Sequence, residues 1–203
     1  MSAAAIIINV MAQPPITAVL LAAGAGTRFG GGKLLHPLED GVAIAAHAAR
    51  NLIAAGLDVT AVVRAGDFPL ADMLEQEGCY VTPCAESVHG MGHTLAHGIA
   101  AAREAGGWIV ALADMPRIRP ETIRRIARAV AGGTKIAAPI FNGERGHPVG
   151  FSSALKPELL SLSGDSGARS VLQRHKDTIE LVEVDDAGVL LDIDTRNDLG
   201  RVL

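Results

Sequence analysis

A glycine-rich segment that carries one arginine and one lysine is the part of the sequence best suited to chemistry. It follows an apolar run at residues 17–21 and extends from Gly24 to Lys33, with Arg28 between the glycines. Glycines allow successive backbone N–H groups to point at one anion, and the two cations add positive charge there. An apolar strand before the loop places it at the carboxyl edge of a sheet, where α/β proteins bind ligands. The segment therefore predicts a phosphate-binding loop, with an ordinary glycine-rich turn as the alternative.

Two common nucleotide-binding motifs do not fit this segment. A P-loop requires a hydroxyl residue directly after its lysine, and Leu34 stands at that position. The dinucleotide fingerprint requires Gly-x-Gly-x-x-Gly, whereas the glycines here are Gly24, Gly26 and Gly30. The acidic ribose ligand expected about 20 residues later is absent from residues 45–48. The pattern thus argues against a P-loop NTPase and against a typical nicotinamide-dependent enzyme.

Two later segments supply carboxylates that could hold a divalent cation. Asp114 ends an apolar run before Pro116, which predicts a position at the same sheet edge as the glycine loop. Asp192 and Asp194 alternate with Ile193, so both carboxylates would lie on one side of an extended segment. A carboxylate beside bound phosphates is a typical Mg²⁺ ligand. The alternative is a local role, because Asp114 could cap a turn and Asp194 could cap the last helix.

Cationic and imidazole side chains on glycine-flanked turns form a third group. Arg145 and His147 lie on either side of Gly146. Arg169 follows a second turn at residues 164–167. These donors could approach an anionic partner closely, although isolated residues of this kind are more often surface charges.

A fourth segment, residues 84–95, leads into an alanine-rich helical pattern. His93 and His97 stand four residues apart there, a spacing that could hold a metal ion. Without a third ligand nearby in the sequence, helix-start and surface roles are favoured.

The composition predicts one α/β domain. A chain of 203 residues can bury one substantial core, and 49% hydrophobic residues with only 3% aromatics indicate an aliphatic core beneath helices. The net charge of −4 and the absence of a lysine-arginine run argue against nucleic-acid and membrane partners. Cys79 and Cys84 fit no zinc or redox motif, so reduced thiols and a cytoplasmic location are expected.

Residues 1–15 are interpreted as an amino-terminal extension, and residues 16–203 as a single domain. The apolar run at residues 3–10 has no preceding positive charge and is too short to span a bilayer.

Apolar β-rich runs alternate with helical patterns along the domain, which is typical of a parallel sheet covered by helices on both faces. The loop at residues 141–146 resembles a hairpin connection and predicts one antiparallel strand. The predicted fold class is a three-layer αβα sandwich, Rossmann-like, with a mostly parallel sheet. The predicted strands are Ala18–Leu21, Val59–Arg64, Cys79–Thr82, Trp108–Ala111, Lys135–Pro139, Val149–Phe151, Ile179–Val184 and Leu190–Ile193. The predicted helices are Val42–Ala55, Phe68–Glu77, His93–Ala105, Pro120–Ala131, Ala168–His175 and Arg196–Val202.

The motifs together resemble those of the MobA-like nucleotidyltransferases, which have the nucleotide-diphospho-sugar transferase fold. The glycine loop is similar to Leu-Ala-Ala-Gly-x-Gly-x-Arg-Met-Gly-x-x-Lys, with Phe29 in place of methionine. Asp114 fits Leu-x-Asp-x-Pro, and residues 192–199 fit Asp-Ile-Asp-Thr-x-x-Asp-Leu. Residues 145–149 and 164–169 resemble Arg-Gly-His-Pro-Val and Gly-Asp-x-Gly-Ala-Arg of the molybdenum cofactor cytidylyltransferase branch.

The resemblance implies a transfer of CMP from CTP to the phosphate of molybdopterin-bound molybdenum, with Mg²⁺ or Mn²⁺ as cofactor. A molybdenum hydroxylase or dehydrogenase would be a possible recipient of the product. The resemblance assigns catalysis to Arg28, Lys33 and Asp114, the metal to Asp114 and Asp194, and the acceptor to Arg145, His147 and Arg169. The implied nucleotide-binding residues are Leu21, Ala22, Ala23, Gly24, Ala25, Gly26, Arg28, Lys33, Gly92 and His93. His93 and Thr94 depart from the Gly-x-Gly-Ser-Ser sequence usual in this family.

The choice of nucleotide depends on one methyl group. Related guanylyltransferases tend to carry Leu-Ala-Gly-Gly where this chain has Ala23, whose methyl would crowd a purine more than a pyrimidine. Such discrimination is worth only about 1–3 kcal/mol, so GTP stays an alternative. A nicotinamide-dependent oxidoreductase and a non-catalytic carrier of molybdenum cofactor are the hypotheses from other classes.

Overall fold

The protein folds as one mixed sheet between two layers of helices, which confirms the predicted α/β class. The computed structural model describes residues 15–201, so nearly all of the predicted extension lies outside the described residues. The strands described there are β1 (Ile16–Ala22), β2 (Val59–Arg64), β3 (Tyr80–Cys84), β4 (Gly107–Leu112), β5 (Ile136–Phe141), β6 (Glu144–Arg145), β7 (Val149–Ser152) and β8 (Ile179–Glu183). The helices described there are α1 (Ile44–Ala54), α2 (Phe68–Gln76), α3 (Met91–Ala101), α4 (Pro120–Ala131), α5 (Lys156–Leu160) and α6 (Arg169–Arg174).

The sheet has the order β3-β2-β1-β4-β7-β5, and both β6 and β8 pair with β5. Strands β1 to β4, β5 and β8 run parallel to one another, whereas β7 runs antiparallel to its neighbours β4 and β5. The predicted hairpin connects β5 to β6, and Asn142 and Gly143 in its turn both have positive φ, as a tight hairpin turn requires. Val149 at the start of β7 pairs with Val110 near the end of β4. Residues that immediately precede β7 are therefore brought to the edge where β1 and β4 end.

Successive side chains of the strands pack alternately into two separate hydrophobic cores, one on each face of the sheet. Ala18 and Leu20 of β1 face a core shared with α1, α2 and α4, whereas Val19 faces a core shared with α3, α5 and α6. On the second face α3 lies unusually close to the sheet, because a Cβ at Gly98 would stand 2.6 Å from Cγ1 of Val19. This close contact brings the start of α3 to the carboxyl edge of the sheet.

The carboxyl-terminal region differs from the prediction. The expected strand Leu190–Ile193 is wrong: residues 187–190 form a 3₁₀ turn, and residues 191–195 have no regular structure. The buried carboxylate of Asp186 accepts hydrogen bonds from the Gly188 N–H and from the Thr122 hydroxyl, which fixes this turn to α4 instead of to a strand. The last expected helix is a 3₁₀ helix over Arg196–Arg201, and α5 was not predicted.

Both cysteines are buried with free thiols, as expected from their spacing. Burial raises the pKa of the Cys79 thiol to about 11, and the nearby carboxylate of Glu77 adds to this effect. Such a thiol is inert at neutral pH. Separately, no helix within residues 15–201 combines the length and the apolar character needed to cross a membrane.

Candidate functional site

The glycine-rich segment forms two 3₁₀ turns, Thr27–Phe29 and Lys33–Leu35, that return the chain to the end of β1. This path needs left-handed backbone conformations, which glycine adopts without strain. A Cβ at Gly26 would also stand 3.1 Å from Cβ of Lys33, so the two ends of the loop lie in contact. The left-handed positions of the loop are Gly26, Gly30, Gly31 and Gly32.

Four charged side chains meet at the base of this loop. The Lys33 ammonium lies 2.7 Å from Oδ2 of Asp114 and 3.5 Å from Oδ1 of Asp194. Nη1 of Arg28 lies 2.8 Å from Oδ2 of Asp194. The Lys33 side chain is only 10% exposed, whereas that of Arg28 is 73% exposed. The structure thus brings together the four residues predicted for phosphate and metal binding, and it pairs two cations with two carboxylates.

Backbone hydrogen bonds hold the two carboxylates in place. The Ala113 N–H donates to the carbonyl of Leu21 at 3.1 Å, which ties the end of β4 to the end of β1. The Ile193 N–H donates to the carbonyl of Asp114 at 3.0 Å. The carboxylate of Asp198 accepts from the N–H groups of Asp194 and Thr195 at 3.2 and 2.7 Å. Asp194 therefore reaches Lys33 from a loop, and no strand directly precedes it as the predicted strand Leu190–Ile193 would have done.

The donor set suits a divalent cation that arrives with a phosphate ligand. Oδ1 of Asp114 is buried and has no hydrogen-bond partner among the described residues. A buried oxygen left without a partner is costly, and a bound cation would supply one. Residues 15–201 contain no cluster of three or more histidine, cysteine or acidic side chains able to hold a metal ion. Asp114 and Asp194 are suited to hold Mg²⁺ or Mn²⁺, which would need water and phosphate oxygens as its other ligands.

A first cleft of about 370 Å³ lies between the glycine loop and the segment that leads into α3. Of the predicted nucleotide-binding residues, five line this cleft, whereas Ala22 is buried and Gly26 faces a smaller depression. Arg28 reaches Asp194 from outside the cleft. The five that line it are Leu21, Ala23, Gly24, Ala25 and Lys33.

A second cleft of about 460 Å³ adjoins the first. Arg145, His147 and Arg169 all line it, so residues from two separate motifs meet in one cavity. Met91 and Asp165 line both clefts and form part of the border between them. The charge cluster around Asp114 therefore stands close to two cavities that could each hold one substrate.

His147 differs electrically from the two arginines beside it. Burial lowers the pKa of His147 below its ordinary value, and the charge of Asp114 opposes this effect only in part. The ring is therefore neutral near pH 7, and its buried Nδ1 has no hydrogen-bond partner among the described residues. His147 can supply a directed hydrogen bond in the second cleft, whereas Arg145 and Arg169 supply the positive charge.

Gly92 and His93 line neither cleft, although both were predicted to contact the nucleotide. Their neighbours Gly90, Met91 and Thr94 line the first cleft instead. The two residues face the loop at residues 163–165, as described below.

The cleft residues that were not predicted from the sequence include Arg64, Ser87 and Asp165. Arg64 ends β2 beside the glycine loop, and its Nη2 lies 3.5 Å from the carbonyl of Ala23. The strand-end argument applied to Asp114 would have found it. Asp165 belongs to the Gly-Asp-x-Gly-Ala-Arg motif at residues 164–169, although no role was assigned to it. Ser87 has a buried Oγ without a partner among residues 15–201, and it carries no comparable signal in the sequence.

The position of Lys33 predicts a competition between its ammonium group and divalent cations. In Lys33→Ala, two neighbouring carboxylates lose their shared counter-charge, so we expect a lower melting temperature without metal. Addition of MnCl₂ should raise the melting temperature of this variant more than that of the wild type, because no ammonium has to be displaced. Thermal unfolding with and without MnCl₂ measures both effects. Lys176→Ala, which removes an exposed lysine elsewhere, is the control; equal shifts in all three proteins would contradict the competition.

Solved structures with the same fold cover nearly the whole chain. Rv0371c from Mycobacterium tuberculosis H37Rv is 28% identical and superposes with a TM-score of 0.84 over 95% of this chain and 99% of its own. A structure of the same protein in complex with manganese gives 27% identity and a TM-score of 0.78, over 93% of this chain and 98% of that one. The nucleotidyl transferase Mth528 from Methanothermobacter thermautotroptrophicus is 26% identical, with a TM-score of 0.79 over 93% and 95% of the two chains.

Sequence comparisons identify the family. Nicotine blue oxidoreductase from Paenarthrobacter nicotinovorans is 30% identical over 200 residues, which cover 94% of this chain and 97% of that protein. The model of the MobA-like NTP transferase domain matches residues 18–179, where the glycine loop, Asp114 and the second-cleft residues all lie. The chain therefore belongs to the MobA-like NTP transferase family.

Proposed function

We propose that the protein is a nucleotidyltransferase that transfers CMP from CTP to the terminal phosphate of molybdopterin-bound molybdenum and releases pyrophosphate. The observation that supports this function best is the position of the Lys33, Asp114 and Asp194 cluster beside two adjoining clefts. One cleft is bordered by the glycine loop, and the other contains two arginines. A reaction between two phosphate-bearing substrates needs this kind of arrangement.

In this proposal the first cleft holds the nucleotide. Backbone N–H groups of the glycine loop, together with Arg28 and Lys33, neutralise the triphosphate. Backbone hydrogen bonds within the loop, from Phe29 and Gly31 to the Gly26 carbonyl, fix its shape before the substrate binds. The backbone N–H groups therefore need little rearrangement when charge develops on the departing pyrophosphate, whereas Arg28 and Lys33 have to exchange their carboxylate partners for phosphate oxygens. Arg64, which lines the same cleft, adds a third cation near the nucleotide.

Asp114 and Asp194 would hold Mg²⁺ or Mn²⁺ in the working enzyme. The bound cation would neutralise charge on the triphosphate and fix its geometry. Lys33, which contacts both carboxylates, would then be available to phosphate oxygens. The manganese complex of Rv0371c supports a divalent-cation site in this family.

The second cleft would hold the acceptor, with Arg145 and Arg169 against its phosphate and neutral His147 as a hydrogen-bond partner. An oxygen of that phosphate forms the new bond to the α-phosphorus of CTP, and the bond from the α-phosphorus to the bridging oxygen breaks. A phosphate monoester is largely dianionic at neutral pH, since its second pKa is about 6. No strong protein base is then required, and positioning and charge neutralisation carry the catalysis.

An oxidoreductase is the second candidate function, because the relative from Paenarthrobacter nicotinovorans bears that name. Direct binding of NADPH, measured by calorimetry, distinguishes the two. Saturable NADPH binding in the first cleft, without pyrophosphate release from any nucleoside triphosphate, would favour the oxidoreductase.

Asp114→Asn tests the catalytic assignment. The substitution removes a charge from a loop without changing side-chain volume, so we expect pyrophosphate release to fall by at least about 100-fold while the protein stays folded. Asp72→Asn, an exposed position on α2, should have wild-type activity. Near wild-type turnover of Asp114→Asn with Mg²⁺ would show that this carboxylate does not hold the catalytic cation.

The base preference can be read from a competition experiment. With molybdopterin-bound molybdenum as acceptor and equal CTP and GTP, mass spectrometry should show mainly the cytosine dinucleotide. Ala23 is buried and lines the first cleft, so Ala23→Gly should reduce the preference, by on the order of tenfold at most. Mainly guanine dinucleotide from the unmodified protein would assign it to the guanylyltransferases instead.

Arg145 and Arg169 should affect the acceptor and not the nucleotide. Replacing both with alanine removes charged hydrogen bonds, so the KM for the acceptor should rise by at least about tenfold. The affinity for CTP, measured by calorimetry, should stay within twofold of the wild type. Arg125→Ala, on the exposed surface of α4, serves as the control. A comparable loss of CTP affinity in the double variant would refute the assignment of the second cleft to the acceptor.

A further inference from the structure

Two loops that border different clefts are bonded directly to each other. We call residues 85–93 the nucleotide loop, which includes the first turn of α3, and residues 163–169 the acceptor loop, which ends at the first residue of α6. The Gly92 N–H donates to the carbonyl of Gly164 at 2.7 Å, and the Gly164 N–H donates to Nδ1 of His93 at 3.2 Å. Of the four atoms in these two hydrogen bonds, three belong to the backbone and one is the imidazole Nδ1 of His93. Because Nδ1 accepts, the neutral ring carries its proton on Nε2.

The two loops also approach each other too closely for ordinary side chains. A Cβ at Gly92 would stand 2.5 Å from the carbonyl oxygen of Ser163, and one at Gly90 would collide with the Asp165 carboxylate. A Cβ at Gly167 would stand 2.9 Å from the sulfur of Met91. Such contacts leave little room for one loop to move independently of the other.

We propose that His93 is a positioning residue that fixes the acceptor loop, and with it Arg169, against the nucleotide loop. The inference rests on the proposed function only for the identity of the two substrates. Asp165 lines both clefts, and Ser166 and Arg169 of the same loop line the second. The hydrogen bond to Gly164 is therefore placed to set how far the acceptor-binding arginine stands from the charge cluster.

The hydrogen bond from the Gly164 N–H to His93 can be tested without any substrate, by NMR measurement of the hydrogen-exchange rate of the Gly164 amide. His93→Ala removes the acceptor atom, so exchange of this amide should accelerate by on the order of fivefold, the effect of one hydrogen bond. His93→Asn places a carbonyl oxygen close to the position of Nδ1 and should restore slow exchange. His97→Ala is the matched control, since His97 lies one turn further along α3 and is bonded to the Thr82 hydroxyl instead.

Steady-state kinetics and CTP binding distinguish a positioning role of His93 from a direct contact between His93 and the nucleotide. In His93→Ala the KM for the acceptor should rise several-fold while the Kd for CTP stays unchanged, and His93→Asn should recover the wild-type KM. The proposal is overturned if His93→Ala leaves the exchange rate of the Gly164 amide unchanged, or if His97→Ala accelerates that exchange equally. It is also overturned if His93→Ala weakens the binding of CTP while the KM for the acceptor stays unchanged. If the wild type transfers no nucleotide, the proposed function fails. The hydrogen-exchange rate of the Gly164 amide, measured without substrate, still decides whether His93 fixes the acceptor loop.

Discussion

The rest of the site depends on the ion pairs that the Lys33 ammonium forms with Asp114 and Asp194. The ammonium is almost fully buried and touches two carboxylates that come from distant parts of the chain. Without that cation, Asp114 and Asp194 would face each other with like charge, and the loop that carries Asp194 has no strand ladder to hold it. Arg28 on the exposed side completes a balance of two positive and two negative charges. These four side chains therefore balance one another's charge before any ligand binds, and a ligand has to exchange one set of counter-charges for another.

The reversed strand β7 explains how two clefts share one edge of the sheet. In a wholly parallel sheet, functional residues follow the carboxyl ends of strands. Here the residues that precede an antiparallel strand reach the same edge, so Arg145 and His147 join residues that follow β1 and β4. The close packing of Gly98 against Val19 brings the start of α3 there as well. The architecture thus places contributions from both halves of the chain around a single charged centre.

Much of this centre could be predicted from the sequence because its signals are local. A glycine loop after β1 and an aspartate after β4 follow from strand-end rules, and Arg64 would have followed from the same rule. The predicted strand Leu190–Ile193 failed because apolar alternation cannot show that Asp186 fixes the preceding turn to α4. The pairing of His93 with Gly164 escaped because it depends on how two loops pack in space. Ser87 was missed for the same reason, whereas Asp165 lies within the motif at residues 164–169 and could have been assigned from it.

The residues of the charge cluster are far apart in the sequence, which has a consequence for biosynthesis. Lys33 and Asp114 are 81 residues apart, and Asp194 follows much later. Chains emerge from the ribosome amino end first, and distant contacts close at an entropic cost. A nascent chain that has been synthesised as far as β4 and residue 114 contains one of the two carboxylates that contact Lys33 but still lacks the other. The acidic pair can therefore be completed only after residue 194 has been synthesised, so a partly translated chain carries the glycine loop and its two cations before it carries both carboxylates.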